Sequence, residues 1–359
     1  MTSAYEILAQ LKRTASGPMT EARGAEPAFY WNEEVASAEE NAIFRHDWVC
    51  PGLASEIPDV GDYLTFSIAG EPVFSIRDSS GEIKTYANIC RHRMMQLLQG
   101  RGRTSRVTCP YHAWSYNLQG QLVGAGHMNH SAGFDKTKIC LPQIRTEIWN
   151  GWIYITLNPD AQSMKKALAP LNDVLARYGM EHYVAVLHEE HVWQTNWKLL
   201  TENFMEGYHL PVAHKATVGA WFAPNKTVFP DQSYDSFTYQ TFAKTHAARY
   251  GQAHPDNTRL TGEWRNTSIL PTVFPTHMYV LAPDHLWYLS LRPRGVGAVD
   301  VRFGVAIAPE VDAMLTDTAE RAAWIRDLVA FFEHVNGEDR MWSKAFMPVH
   351  GRRLPRPDN

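Results

Sequence analysis

Between Cys90 and Trp114 the chain reads CRHRMMQLLQGRGRTSRVTCPYHAW, which sets two short pairs of metal-binding side chains, Cys-x-His and Cys-x-x-His, across a 16-residue spacer. Each pair belongs on a tight loop tip, and Pro110 stiffens the second loop by fixing φ and withholding an N–H. Cys90, His92, Cys109 and His112 together offer two thiolates and two imidazoles. Such a set closes either a zinc tetrahedron or a [2Fe–2S] cluster whose one iron takes the thiolates and the other the imidazoles. Zinc pairs usually join ligands of like type, whereas here each pair mixes one Cys with one His in the same order. The mixed pairing favours the cluster, with Trp114 and Tyr116 as its shield.

The pattern Cys-x-His-Arg, then Cys-Pro-Tyr-His-x-Trp-x-Tyr, resembles the Rieske segment of the large subunits of Rieske non-haem iron oxygenases. One departure stands out. The family usually has Gly after His-Arg, and Met94 occupies that place, so the loop must adopt a conformation that tolerates a side chain.

A chain of 359 residues is long enough for two domains. Its net charge of −4 gives no sign of a nucleic-acid or membrane-surface partner. Four cysteines, two already claimed by the cluster, make no disulfide framework, and Cys50 and Cys140 are expected as buried reduced thiols. No apolar run approaches the roughly 20 residues that span a bilayer, and the opening MTSAYEILAQLKRTASG has no signal-peptide core, so the cytoplasm is the expected location.

Residues 1–45 read as a helical arm, with helices over Tyr5–Arg13 and Ala36–Phe44. From 46 to 157 short alternating segments separated by turn residues (Tyr63–Ile68, Val73–Arg77, Ile83–Asn88, Val107–Cys109, Trp114–Asn117, Gln121–Val123, Trp152–Leu157) indicate an antiparallel all-β domain with the metal loops at one end. Arg91, Arg93, Arg101, Arg103 and Arg106 crowd those loops, as a docking patch for an acidic redox partner or as local charge compensation. Residues 158–359 change to helices with longer strands: a helix over Ser163–Tyr178, strands over Ala185–Gln194, Thr272–Leu281, Leu286–Arg292 and Val299–Ile307, and a helix over Thr318–His334 ending near Gly337. The fold class expected is α+β, an all-β Rieske [2Fe–2S] domain followed by an antiparallel sheet with helices of the helix-grip type.

The second informative stretch is NWKLLTENFMEGYHLPVAHKATVGAW, from Asn196 to Trp221. Glu206 and His209, three apart, share one face of a helix, while His214 returns to that face only if Pro211 breaks the helix between the histidines. Two histidines and a carboxylate with open positions opposite suit a non-haem Fe(II). The string Asn-Trp-Lys-Leu, then Glu-Asn-Phe-x-Glu-x-Tyr-His and a second His five residues on, resembles the mononuclear-iron segment of the same oxygenases. That resemblance implies His209 and His214 as iron ligands. It implies Glu206 as the acid linking the iron site of one subunit to His112 of a neighbour, Asn203 close to the iron, and Tyr208 packed beside it. Most members have Asp where Glu206 stands, and Glu resembles the branch acting on carnitine and related quaternary amines. The late Gly-Glu-Asp-Arg similarly implies Asp339 as third ligand, with Glu338 and Glu333 as alternatives.

Between the iron segments, the aromatic-rich Trp221–Tyr250, with Trp221 and Phe222 at its start, suits a lid over a substrate pocket, and Arg292 with Arg294 suits a substrate carboxylate. The resemblance implies a terminal oxygenase that uses O2 and NAD(P)H-derived electrons from a separate flavin/iron–sulfur reductase, assembled as a homotrimer. Monooxygenation of a small organic substrate, a quaternary amine, is the reading preferred over hydroxylation of an aromatic acid. A Rieske electron carrier is the non-enzymatic alternative, and it leaves half the chain without a task.

Overall fold

The computed structural model describes residues 3–21, 23–221, 227–244 and 248–345. A seven-stranded antiparallel sheet is laid down in the order Val49–Leu53, Trp152–Thr156, Gln143–Trp149, Ile83–Ala87, Glu71–Arg77, Asp62–Ile68, Arg101–Arg103. Val107–Thr108, Ser115–Tyr116 and Leu122–Gly124 form a three-stranded sheet beside it. Six longer strands make the second half, in the order Val184–Trp193, Ala298–Ile307, His285–Arg294, His277–Leu281, Thr267–Val273, Phe237–Ala243. The expected α+β class holds: an all-β unit precedes an antiparallel sheet covered by helices.

Several elements differ from expectation for local reasons. The Thr272–Leu281 segment is two strands, because Pro275 withholds a ladder donor and the chain turns at Phe274–Thr276. The second arm helix starts earlier, at Glu33, where the Asn32 side chain accepts the N–H of Val35 at 3.0 Å. The Ser163–Tyr178 helix is broken into Met164–Ala167, Ala169–Leu175 and a tighter turn to Tyr178, since Pro170 can only begin a helix. The last helix runs uninterrupted from Thr318 to Ala345 and does not stop at Gly337. Cys140 is exposed, not buried, and all four cysteines are free.

The buried side chains separate into two cores. The large one joins the arm, the inner face of the seven-stranded sheet and the six-stranded sheet, through residues such as Trp152, Tyr154, Tyr288 and Phe303. The small one gathers Phe74, Ile76, Tyr86, Leu97, Trp114 and Tyr116 around Cys90 and Cys109. Where the halves meet, Tyr154 Oη lies 2.8 Å from His277 Nδ1, and Ser290 Oγ donates to the Cys50 carbonyl at 2.6 Å. The arm grips the second half through a buried Lys198–Glu39 ion pair at 2.6 Å and an Asn196 Nδ2 to Tyr30 carbonyl bond at 2.7 Å. Among the described residues no helix is long and apolar enough to cross a membrane.

Candidate metal centres and the cavity beside the triad

The two loop tips are built alike. In the first, Met94 N–H bonds to the Cys90 carbonyl at 3.0 Å and Cys90 N–H to the Met95 carbonyl at 2.8 Å. In the second, Ala113 N–H bonds to the Cys109 carbonyl at 3.0 Å and Cys109 N–H to the Trp114 carbonyl at 2.8 Å. Both loops therefore need a left-handed residue four places after the cysteine, and Met94 (φ +60°) and Ala113 (φ +56°) supply it at a steric cost that Gly would avoid. The side chain of Met94 is accommodated by pointing outward, 65% exposed.

These turns sink both thiols and leave both imidazoles at the surface. The His92 and His112 rings lie 4.8 Å apart, and Trp114 stacks on His92 at 4.7 Å. Tyr116 Oη sits 3.4 Å from Cys90 Sγ and accepts the Arg91 N–H at 3.0 Å. Buried, unbridged thiols paired with exposed imidazoles suit a cluster held at a surface tip, with a hydroxyl in place to bond a thiolate sulfur. Of the five arginines near the loops, Arg101 turns in to Glu56 and Arg103 pairs with Asp59 and Asp62, leaving Arg91, Arg93 and Arg106 exposed.

In the second half the helix Trp197–Phe204 starts at Asn196, whose side chain accepts the Lys198 N–H at 2.9 Å. It ends before Glu206, and a short helix, Leu210–Ala213, follows. The break thus precedes His209 instead of falling between the histidines, and Pro211 sits in the first turn of the new helix, where its missing N–H is harmless. Glu206 and His209 meet within the intervening turn: Nδ1 of His209 is 2.5 Å from Glu206 Oε1. From the far helix, Asp339 Oδ1 lies 3.0 Å from His214 Nε2 and 3.1 Å from Asn203 Nδ2. Donor atoms of His209, His214 and Asp339 all fall within 4.8 Å of one another.

Both histidines have their remaining nitrogen held by an acid, Nδ1 of His209 by Glu206 and Nδ1 of His214 by Glu338 at 2.8 Å. Thr217 Oγ1 donates to the same Glu338 oxygen at 2.6 Å. Such acids fix the tautomer and turn each Nε2 lone pair towards a metal. Burial pulls the His214 pKa down, but Asp339 and Glu338 outweigh it and raise it overall. For Glu206, burial works upward and the His209 hydrogen bond downward, and the carboxyl ends below its ordinary value. The donor set therefore fits a divalent ion with open positions. A second group, Glu189, His191 and Glu333, also clusters, but Arg340 bonds Glu333 at 3.1 Å, and this group is not where the histidine pair lies.

A largely apolar cavity opens beside the triad, walled by Phe204, Trp221, Leu270, Trp287, Phe331 and Val335, with Asn203, Glu206 and Asp339 at the triad end. Trp221 lines it as expected, whereas Phe222 lies outside the described residues. Arg292 does not reach it. It packs over Phe66 at 4.5 Å and pairs with Glu190 at 3.5 Å where the two halves meet, while Arg294 pairs with Asp300 at 2.7 Å. Tyr208 is 91% exposed instead of packed beside the triad. Sequence reasoning missed Glu338 as a histidine partner, and it missed Lys244 and His285, which also line the cavity.

Comparison with known proteins bears on both halves. Residues 47–141 match the Rieske [2Fe–2S] domain, and residues 179–345 match the ring hydroxylating alpha subunit (catalytic domain). The glycine betaine monooxygenase oxygenase subunit of Chromohalobacter salexigens is 34% identical over 218 residues, 59% of this chain and 49% of that one. The carnitine monooxygenase oxygenase subunit of Escherichia coli K12 is 33% identical over 189 residues, 52% of this chain and 50% of the other. The match thus spans about half the length of these relatives. The fold superposes on a quaternary ammonium Rieske monooxygenase, studied for carnitine oxidation and inter-subunit electron transfer, with TM-score 0.75, 21% identity, and coverage of 89% of this chain and 83% of that one.

Proposed function

The chain belongs to the Rieske non-haem iron oxygenases, and from that premise we propose that it is the terminal oxygenase component of a multicomponent monooxygenase acting on a small organic substrate, a quaternary amine. Cys90, His92, Cys109 and His112 would hold the [2Fe–2S] cluster, and His209, His214 and Asp339 the catalytic Fe(II). When bound, the iron supplies O2 activation and the cluster an electron for it, drawn from an NAD(P)H-dependent reductase. The observation that carries the reading is the gathering of His209, His214 and Asp339 within 4.8 Å at one end of an apolar cavity, in a chain that also sets two Cys–His pairs on matched loops.

The protein's own groups have definable tasks in that reaction. Glu206 and Glu338 hold the Nδ1 protons of His209 and His214, Asn203 orients the Asp339 carboxylate, and the aromatic walls keep water from the reacting carbon. Electron delivery between subunits fits the surface. The cluster tip exposes Met94, Met95 and Tyr111, and the approach to Glu206 exposes Met205, Tyr208 and Val212. Two different apolar patches on one chain suit a head-to-tail ring, and a homotrimer is the assembly we infer. The approach of His112 from a neighbour to Glu206 belongs to the same reading, as does a cytoplasmic location.

Iron analysis and one turnover test it. The ligand sets require about three irons per chain, against about two for an electron carrier. With the cluster chemically reduced, O2 plus an N-methylated quaternary amine should oxidise the cluster and release an oxidised product. Cluster oxidation triggered by aromatic carboxylates alone would transfer the assignment to ring hydroxylation.

A further inference from the structure

The cavity has a second polar end. Lys244, Tyr250 and His285 line it together with the triad residues. Lys244 directly follows the edge strand Phe237–Ala243, and its own N–H is tied to the Asn266 carbonyl at 2.9 Å. Its ammonium has no hydrogen bond or ion pair among the described residues. It lies against Gly251, at φ +87°, where a Cβ would fall 1.7 Å from Nζ and push the ammonium aside. Asp284 sits behind, accepting the Gly251 N–H on both oxygens at 2.8 and 2.9 Å and lying 2.7 Å from His285 Nδ1. Asp284 does not line the cavity, so the group facing inward is the cation.

One helix relates the two ends. Phe332 packs on His285 with ring centroids 5.0 Å apart, and Phe331 packs on Tyr250 and Trp221, both at 5.4 Å. Asp339 follows Phe332 by seven residues on the same helix, about 10 Å along its axis. The wall between, Val335, Trp287, Leu270 and Val280, is apolar.

We propose that Lys244 is the carboxylate-binding group of the substrate site, so that the substrate is an elongated organic carboxylate with its charged end at Lys244 and its oxidised carbon at the His209, His214 and Asp339 end. The proposal rests on the oxygenase reading above. An ammonium enclosed beside apolar walls without a directly bonded anion is costly, and a substrate carboxylate removes that cost with a charge-assisted bond. Burial already holds the Lys244 pKa down at about 8. The opposite end carries the carboxylates of Glu206 and Asp339, so a zwitterion with its quaternary ammonium nearer the triad satisfies both ends. A simple tetraalkylammonium ion leaves Lys244 unpaired.

The test is calorimetric binding to the metal-loaded protein of two matched pairs: γ-butyrobetaine with its methyl ester, and 4-phenylbutyrate with its amide. The acid of at least one pair should bind roughly tenfold more tightly than its neutral partner, the order of one charge-assisted hydrogen bond. That preference should vanish in Lys244→Met and survive in Lys244→Arg. Absence of a preference in both pairs, including absence of binding, or a preference that persists in Lys244→Met, overturns the proposal. The oxygenase reading fails separately, through the iron count or the lack of cluster oxidation, neither of which depends on which acid binds.

Discussion

Glu206 closes back on His209, its carboxylate 2.5 Å from the ring Nδ1, while its second oxygen accepts the N–H groups of both Tyr208 and His209. The acid is thus oriented by its own turn, independently of anything a neighbouring subunit brings. Glu206→Gln keeps the shape and loses the charge. Compared with the wild type, both metal sites being loaded, it should slow reoxidation of the reduced cluster, in the presence of O2 and substrate, by roughly 10- to 100-fold. Stopped-flow absorbance of the cluster measures it, and an unchanged rate sinks the role assigned to Glu206.

Glu338 bonds His214 from outside the candidate metal triad, and Thr217 in turn steadies Glu338. Glu338→Gln should lower iron affinity by roughly 10- to 100-fold with the cluster content unchanged, read by chelator competition on the purified protein. Thr217→Val should show a smaller loss in the same direction.

Carboxylate binding should weaken as the pH rises through about 8, the pKa to which burial lowers Lys244. The groups around it do not titrate there. Burial raises the Asp284 pKa, but His285 and Lys244 hold it below its ordinary value; burial lowers that of His285 and raises that of Tyr250. Affinity for γ-butyrobetaine measured from pH 7 to 9 should therefore fall with a single titration, and a flat profile counts against Lys244 as the anion partner.

His277 is enclosed where the two halves meet, against Trp152 at 4.3 Å, and burial lowers its pKa from 6.5 to about 3. Between those values the unfolded chain binds a proton that the folded chain refuses, so stability drops as pH falls below 6.5. The slope from this group alone approaches about 1.4 kcal/mol per pH unit. Urea unfolding at pH 7 and pH 5 should show a larger loss for the wild type than for His277→Gln.

Met94 occupies a left-handed position, and Met94→Gly removes the side-chain penalty at no loss of burial. The first loop should gain about 1 kcal/mol, seen as slower cluster loss on heating. Met94→Val, branched at Cβ, should go the other way.

The candidate metal donors were legible because such chemistry dictates residue type and spacing. Cys90, His92, Cys109 and His112 come together on matched loops, and His209, His214 and Asp339 gather as a triad. The route taken was less so. The sequence pattern located a helix break at Pro211, yet the chain breaks before Glu206, since a proline that begins a helix and one that ends it look alike in a string. Val49–Leu53 and Gln143–Trp149 went unread as strands because their burial does not alternate, the first being buried throughout. Arg292 was read as a substrate clamp from its charge alone, and its partner Glu190 lies on another strand. Lys244 carried no local signal at all; it becomes notable only when the edge strand, Gly251 and Asp284 converge.

The unbroken helix from Thr318 to Ala345 has a consequence for selectivity. One rigid rod carries the aromatic ring packed on His285 and, two turns on, the carboxylate of Asp339. On the binding mode proposed above it would work as a gauge: one turn inserted between Phe332 and Asp339 would lengthen the accepted substrate by about 5 Å. Gly337 interrupts only its intrinsic stiffness, and an added Cβ there would meet nothing within 4 Å. The gauge is therefore softest beside the residues that set its zero.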